Sequence, residues 1–301
     1  MKQHNHHVGV NGPALITGGA GFIGSHLSDA LIAAGRDVRI LDNMSSGKLS
    51  NLEPLSSRAE IITGSITNYN DCLRAMAHIE TVFHLAACVS VTECQKNPHD
   101  ALTTNIQGTV NILDAALHAG VQRVLFASTA AVYGNKEGLC SETDIPIPVS
   151  TYGYSKYIGE QLCSLYAHVY KLPTISLRFF NVYGPRQQAK GGDGGVLAVF
   201  KHKLEHNEPI AIFGDGNQTR DFVHVDQVVQ ALMQAEKNHH MAPAGQVFNI
   251  GTGTSTTLNQ KLHELLRAYQ QYDKKISFLP ERHGDIRHSA CDCSKFQKTL
   301  L

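Results

Sequence analysis

Residues 14–24 read Ala-Leu-Ile-Thr-Gly-Gly-Ala-Gly-Phe-Ile-Gly, and this stretch decides how the fold begins. The apolar run Ala14–Ile16 predicts a buried strand, and the stretch Phe22–Ala34, which stops at Gly35, predicts a helix. A second apolar run, Asp37–Leu41, predicts another strand. The order strand, glycine turn, helix, strand indicates a βαβ unit with parallel strands.

The glycines of this turn have G-x-x-G-x-x-G spacing, at Gly18, Gly21 and Gly24. Such glycines allow a tight turn and bring backbone N–H groups at a helix N-terminus against a pyrophosphate. Asp42 closes the second strand about 20 residues further on, where a carboxylate binds the adenosine ribose hydroxyls. Because that carboxylate repels a 2′-phosphate, the pattern predicts NAD rather than NADP. A plain tight turn, with Asp42 as an N-cap, remains the alternative.

Strand and helix patterns continue to alternate along the chain. Four further apolar runs are predicted strands: Ala59–Ile62, Thr81–Leu85, Arg123–Ala127 and Thr174–Arg178. Helical patterns cover Asp100–Ala119 and Ser155–Tyr170. We therefore predict an α/β fold, a doubly wound parallel (Rossmann) sheet with a second, smaller substrate-binding domain. The predicted boundaries are 1–180 for the NAD-binding domain, with 222–250 returning to it, and 181–301 mainly for substrate binding.

The composition excludes several classes of protein. The 301 residues include 26 Lys+Arg and 26 Asp+Glu, so the formal net charge is zero. The chain therefore has no overall positive charge to attract nucleic acid or anionic membranes. No run of about 18 apolar residues predicts a membrane span. Seven cysteines are odd in number and sparse, which favours a reducing cytoplasm over a disulfide framework. His202 and His206 lack the glutamate of a helical zinc motif, so no metal site is predicted.

A second group of residues is suited to proton transfer. Tyr152 and Lys156 are four residues apart, so a helix would place both side chains on one face. A tyrosine of ordinary pKa about 10 is a poor base at neutral pH. A nearby ammonium and a positively charged nicotinamide are expected to lower the tyrosine pKa. Ser128 and Thr129 end a predicted strand, where their hydroxyls can share the substrate proton. An exposed Tyr-x-x-x-Lys pair without function remains the alternative.

Further motifs extend along most of the chain, in order: His84-Leu85-Ala86-Ala87, Asn105, Ser128 to Gly134, Arg178-Phe179-Phe180-Asn181-Val182-Tyr183-Gly184-Pro185-Arg186, Arg220 to Asp226, and Phe248-Asn249-Ile250-Gly251. With the glycine turn and the Tyr152/Lys156 pair, they make the chain resemble the extended short-chain dehydrogenases/reductases, and within them the nucleotide-sugar epimerases and dehydratases. The resemblance implies NAD as cofactor, a UDP-sugar as substrate, a homodimer and no membrane or nucleic-acid partner.

The resemblance also implies roles for individual residues. Catalysis falls to Thr129, Tyr152, Lys156 and Ser128. Cofactor contacts are implied at Gly18, Gly21, Phe22, Ile23, Gly24, Asp42, Asn43, Ser65, Ile66, Leu85, Ala86, Ala87, Asn105, Tyr152 and Lys156. Substrate contacts are implied at Ser90, Ser128, Thr129, Asn181, Arg220, Arg282, Asp285 and Ser289. Relatives often carry an aspartate at the position of Ser65, so a weaker hydrogen bond to adenine is expected here.

The residues after the catalytic threonine point to one reaction. Dehydratases of this family carry an acidic pair at the positions of Ala130 and Ala131, and decarboxylases carry a glutamate nearby. Without these acids, the resemblance implies inversion at C4 through a transient 4-keto sugar with retained NAD. Ser289 stands where a bulky tyrosine in some relatives excludes N-acetylated sugars, so UDP-GlcNAc/UDP-GalNAc are expected substrates, with UDP-Glc/UDP-Gal as a second pair.

Other functions remain open from the sequence. The chain could be a UDP-glucuronate 4-epimerase, a 4,6-dehydratase or a decarboxylase. A non-catalytic dinucleotide-binding protein is an alternative from another class. The intact set of Thr129, Tyr152 and Lys156 argues against it, because a binding module has no use for an activated phenol.

Overall fold

The computed structural model describes residues 12–53, 57–189, 195–281 and 286–301. Within these ranges the main sheet consists of β1 (Ala14–Thr17), β2 (Val38–Asp42), β3 (Ala59–Thr63), β4 (Thr81–His84), β5 (Arg123–Thr129), β6 (Thr174–Phe179) and β11 (Gln246–Ile250). The strand order is β11-β6-β5-β4-β1-β2-β3, and each neighbouring pair is parallel. The order reverses between β1 and β4, which makes their carboxyl ends the place where such sheets bind ligands.

Short strands form separate pairs outside the main sheet. They are β7 (Asn181–Tyr183) with β10 (Phe222–His224), β8 (Ile210–Phe213) with β13 (Ile276–Leu279), and β9 (Thr219–Arg220) with β12 (Thr256–Thr257). The helices of the described ranges are α1 (Phe22–Ala33), α2 (Tyr69–Met76), α3 (Val91–Lys96), α4 (Pro98–Leu102), α5 (Gly108–Ala119), α6 (Thr151–Val169), α7 (Val196–Glu205), α8 (Val225–Lys237), α9 (Leu258–Leu266) and α10 (Ser294–Leu300). None of these helices is both long enough and apolar enough to span a bilayer.

Helices cover both faces of the main sheet. One core contains residues of α1, α8 and α10, with Leu27, Leu232 and Phe296 as examples. The opposite core contains residues of α2, α5 and α6, including Met76 and Ile112. Because both faces are covered, the central strands β1, β4 and β5 are buried along almost their whole length rather than at alternate residues. This arrangement confirms the predicted α/β, doubly wound fold.

A smaller unit has its own core. Side chains of α7, β8 and α9, among them Phe200, Ile212 and Leu262, pack together away from the main sheet. Helix α8 packs on α1 and β11 pairs with β6 at the sheet edge, so both elements lie with the main sheet, whereas Phe222 in β10 still belongs to the smaller core.

The predicted strands recur with shifts of one or two residues at their ends, but the helix predicted over Asp100–Ala119 is interrupted. A π-helical turn over Thr103–Gln107 separates α4 from α5. Asn105 in this turn is buried, and its side chain bonds the backbone of Cys88 on both sides, Oδ1 accepting from N at 2.8 Å and Nδ2 donating to O at 2.9 Å. The extra residue of the turn directs Asn105 into the protein, a use of π turns that recurs near functional sites.

Candidate active site

A cavity of about 410 Å³ lies at the carboxyl edge of the main sheet. Its lining includes these predicted residues: Gly18, Gly21, Phe22, Ile23, Gly24, Asp42, Asn43, Ser65, Ile66, Leu85, Ala86, Ala87, Ser128, Thr129, Tyr152, Lys156 and Asn181. The glycine turn, the acid after β2 and the tyrosine–lysine pair come from distant parts of the chain. The fold brings them together because parallel strands end at one edge.

The glycine turn approaches its neighbours too closely for larger side chains. Gly18 has φ +71°, and a Cβ there would lie 2.9 Å from the Ala86 backbone. A Cβ on Gly24 would collide with the carbonyl oxygen of Gly18. Helix α1 therefore starts close against β1, with its first N–H groups facing the cavity region that a dinucleotide pyrophosphate would need.

Asp42 is buried, and its carboxylate is held by backbone groups on two sides. Oδ2 accepts from the N–H of Ala20 at 2.9 Å, and Oδ1 accepts from the N–H of Met44 at 2.8 Å. The side chain thus caps the turn that follows β2 and fixes the glycine turn as well. Because it also lines the cavity, the capping and ligand-binding interpretations of Asp42 are compatible.

The proton-transfer candidates meet at the start of α6. Ser150 caps this helix by accepting from the N–H of Gly153 at 3.1 Å, so α6 begins at Thr151, earlier than predicted. Tyr152 stands in the first turn and is hydrogen-bonded to Thr129 at the end of β5. Lys156 follows one turn later; it is buried, and its Nζ lies 4.3 Å from the centroid of the Phe126 ring.

Burial sets the protonation of both groups. It raises the pKa of Tyr152 to about 12, and the hydrogen bond with Thr129 opposes this rise. It lowers the pKa of Lys156 to about 8. In the chain by itself the pKa of Tyr152 is raised, because the cost of desolvating a phenolate exceeds the stabilisation from the Thr129 hydrogen bond. The lowering expected from the sequence applies to the site with the nicotinamide cation beside it.

Ser128 is oriented by a partner that the sequence did not reveal. Its hydroxyl donates to Oε1 of Glu160 at 2.5 Å, and Glu160 also accepts from Arg178, at 2.8 Å from Nε and 2.7 Å from Nη2. All three residues are buried. Ser128 lines the cavity, but its hydroxyl donates its hydrogen bond to Glu160. Thr129 is therefore the hydroxyl that is hydrogen-bonded to Tyr152.

Four predicted residues within the described ranges, Ser90, Asn105, Arg220 and Ser289, do not line the cavity. Asn105 donates to the Ser155 hydroxyl at 2.9 Å beneath the start of α6. Ser90 caps α3 by accepting from the N–H of Glu93 at 2.9 Å. Ser289 is buried, and its N–H donates to the carbonyl of Thr219, which also accepts from Arg220.

Two predicted substrate residues, Arg282 and Asp285, lie outside the described residues. The cavity also has lining residues that were not predicted: Leu41, Ser45, Ser46, Gly64, Val89, Thr104, Ala127, Phe179, Phe180, Val182 and Gln187. Most of them neighbour a predicted residue in sequence and could have been found from that adjacency. Gln187 could not, because it follows β7 and reaches the cavity only through the fold.

Comparisons with known proteins agree with this geometry. Residues 14–251 match the model of the "NAD dependent epimerase/dehydratase family". The UDP-glucose 4-epimerase of Mycolicibacterium smegmatis is 37% identical over 295 residues, covering 95% of this chain and 91% of that protein. The UDP-N-acetyl-alpha-D-glucosaminuronate decarboxylase of Bacillus cytotoxicus is 38% identical over 293 residues, covering 90% and 88%.

Solved structures show the same fold. The UDP-glucose 4-epimerase of Thermotoga maritima with UDP-glucose has a TM-score of 0.89 at 41% identity, covering 96% of this chain and 92% of that one. The UDP-N-acetylglucosamine 4-epimerase of Methanobrevibacter ruminantium, in complex with UDP-N-acetylmuramic acid, has a TM-score of 0.90 at 32% identity, covering 97% and 92%.

Proposed function

The chain belongs to the NAD-dependent epimerase/dehydratase family, whose cofactor is NAD, and from this premise we propose that it is a 4-epimerase of UDP-hexoses. One observation carries the choice of reaction: among the described residues that line the cavity, Asp42 alone is acidic. Eliminating water or losing a carboxyl group calls for further acid–base groups beside the sugar. A site with Tyr152 and Thr129, and with alanines at positions 130 and 131, suits oxidation and reduction at C4.

The protein's own residues handle the proton. Tyr152, ionised, accepts the proton of the C4 hydroxyl, and Thr129, already hydrogen-bonded to Tyr152, shares it. The Lys156 ammonium, one helical turn away, adds positive charge on the same face of α6. Bound NAD supplies the hydride acceptor and donor at C4, and its cationic ring favours the phenolate that burial disfavours.

The nucleotide must stay tightly bound while the sugar ring rotates in the site. Inversion requires a flat 4-keto sugar to present its other face before it is reduced. We assign the diphosphate to Asn181, Arg220 and Arg282, because guanidinium groups bind phosphate oxygens in pairs. Asp285 is a further proposed substrate contact. In this proposal, residues 1–180 with 222–250 bind NAD, and residues 181–301 mainly bind the UDP-sugar.

The proposed substrates are UDP-GlcNAc and UDP-GalNAc, with UDP-Glc and UDP-Gal as a second pair. This choice rests on Ser289, which stands where a bulky tyrosine in some relatives excludes N-acetylated sugars; its small side chain is proposed to accommodate the acetyl group. Proton NMR of the anomeric region, with purified protein, NAD and UDP-GlcNAc or UDP-Glc, tests this. Appearance of UDP-GalNAc supports the proposal, whereas conversion of UDP-Glc alone contradicts the role given to Ser289.

A decarboxylase is the second candidate, because a relative of similar identity carries that name. UDP-glucuronate distinguishes the two reactions by mass. A C4-epimerised product keeps the mass of the substrate, whereas decarboxylation removes carbon dioxide. Loss of that mass would overturn the epimerase proposal.

The protein is also proposed to act as a homodimer in the cytoplasm. Helix α6 carries an apolar stripe that remains exposed in the single chain: Tyr154 (52%), Ile158 (38%), Leu165 (44%) and Val169 (60%). Successive positions are separated by four or seven residues and so share one helical face. Light scattering should give a dimer for the parent protein and a monomer for Leu165→Glu; a monomeric parent would contradict the dimer.

A further inference from the structure

Two cysteines form a thiol pair beside the proposed catalytic helix. Cys88 follows β4, and Cys94 lies in α3; both are free, and their Sγ atoms are 3.4 Å apart. Cys94 is completely buried, whereas Cys88 is partly exposed and is followed by Val89, which is 62% exposed and lines the cavity. Cys88 is therefore the more accessible of the two thiols, and a small reagent meets it before Cys94.

The pair is connected to Tyr152 through hydrogen bonds. Asn105 holds the backbone of Cys88 on both sides and donates to the Ser155 hydroxyl. That hydroxyl in turn donates to the carbonyl of Tyr152 at 2.8 Å. A change at the thiols is thus transmitted to the first turn of α6.

We propose that Cys88 and Cys94 are an oxidation site that a peroxide or a low-molecular-weight disulfide converts into an intramolecular disulfide. With hydrogen peroxide, the Cys88 thiol becomes a sulfenic acid and one water is released. The Cys94 sulfur then displaces the hydroxyl as a second water. Overall, two thiols lose two electrons and two protons to the peroxide. The Sγ atoms must move from 3.4 Å to a bond of about 2.05 Å.

Closing this bond should reduce turnover. The segment between the cysteines contains Val89, which lines the cavity, and Ser90, the cap of α3. Drawing Cys94 toward Cys88 displaces this segment and strains the Asn105 contacts that lead to Tyr152. The effect on turnover rests on the proposed 4-epimerase activity, but formation of the disulfide does not.

Peptide mapping tests the chemical step on the full chain. Both cysteines lie in one tryptic peptide, between the cleavage sites at Arg74 and Lys96. After treatment with hydrogen peroxide and blocking with N-ethylmaleimide, this peptide should be lighter by two hydrogen atoms and unlabelled, and dithiothreitol should restore two labelled thiols. A peptide that still carries two labels after oxidation would overturn the proposal, whether or not the protein is an epimerase.

Turnover tests the coupling to the site. Oxidation should lower kcat at least fivefold, reversibly, in the parent protein and in Cys72→Ser, a control in which another fully buried free cysteine is changed. Cys94→Ser and Cys88→Ser should keep their kcat under the same treatment. Disulfide formation without loss of kcat, or equal loss in the Cys94→Ser and Cys88→Ser variants, would overturn the coupling.

Discussion

Replacing Glu160 by glutamine should strongly destabilise the protein. Glu160 is buried and receives two hydrogen bonds from Arg178 and one from Ser128. Glutamine keeps the shape but removes the charge that balances the guanidinium. Breaking one side of a buried ion pair costs about 3–5 kcal/mol. Since a domain is stable by about 5–15 kcal/mol, this is a large fraction of the total.

Urea unfolding followed by circular dichroism measures this cost. The exposed pair of Asp215 and Arg287 provides a matched control, because it has the same two-bond geometry, at 2.9 and 2.7 Å. Asp215→Asn should destabilise the protein far less than Glu160→Gln, since water solvates an exposed charge that loses its partner.

The double variant Glu160→Gln/Arg178→Met should regain most of the lost stability, because it removes the second charge as well. Equal costs for Glu160→Gln and Asp215→Asn would refute this reasoning. So would a double variant that is no more stable than Glu160→Gln alone.

Three further predictions concern the cavity. Tyr152→Phe should lower kcat by about 10²–10⁴-fold while NAD still binds, as followed by turnover and calorimetry; near-parental kcat would remove Tyr152 from proton transfer. Because burial lowers the pKa of Lys156 to about 8, its ammonium is lost as pH rises through 8, and kcat should fall there. Lys156→Met should show low kcat without that decline, and a parental pH profile in this variant would assign the decline elsewhere. Gly24→Ala places a Cβ against the Gly18 carbonyl and should weaken NAD binding at least about tenfold. Unchanged affinity would contradict the proposal that the glycine turn binds the NAD pyrophosphate.

Local patterns made the cofactor half of the site predictable. The glycine spacing and Asp42 are set within one βαβ unit, and α6 reveals Tyr152 and Lys156 by their four-residue separation. Parallel strands then force these segments to one edge, so their meeting follows from the fold class. The residues after β7, including Gln187, have no such periodic signal.

Buried polar partners were not predictable in the same way. Ser128 and Glu160 are 32 residues apart, and nothing in the sequence of α6 distinguishes Glu160 from a solvated glutamate. The helix pattern over Asp100–Ala119 likewise gives no sign of the π turn that directs Asn105 inward. Apolar periodicity shows which face of a helix is buried, but not where a single polar side chain finds its hydrogen-bond partners. The raised pKa of Tyr152 depends on burial, which is a property of the folded chain.

The most direct test of the proposed chemistry follows the hydrogen at C4. UDP-GlcNAc labelled with deuterium at C4 is converted by the protein with NAD in ordinary water, and the product is examined by NMR and mass spectrometry. Removal and return of the same hydride predicts UDP-GalNAc that keeps its deuterium at C4. Epimerised product with hydrogen in place of deuterium would contradict the mechanism, and so would a product that has lost water or carbon dioxide.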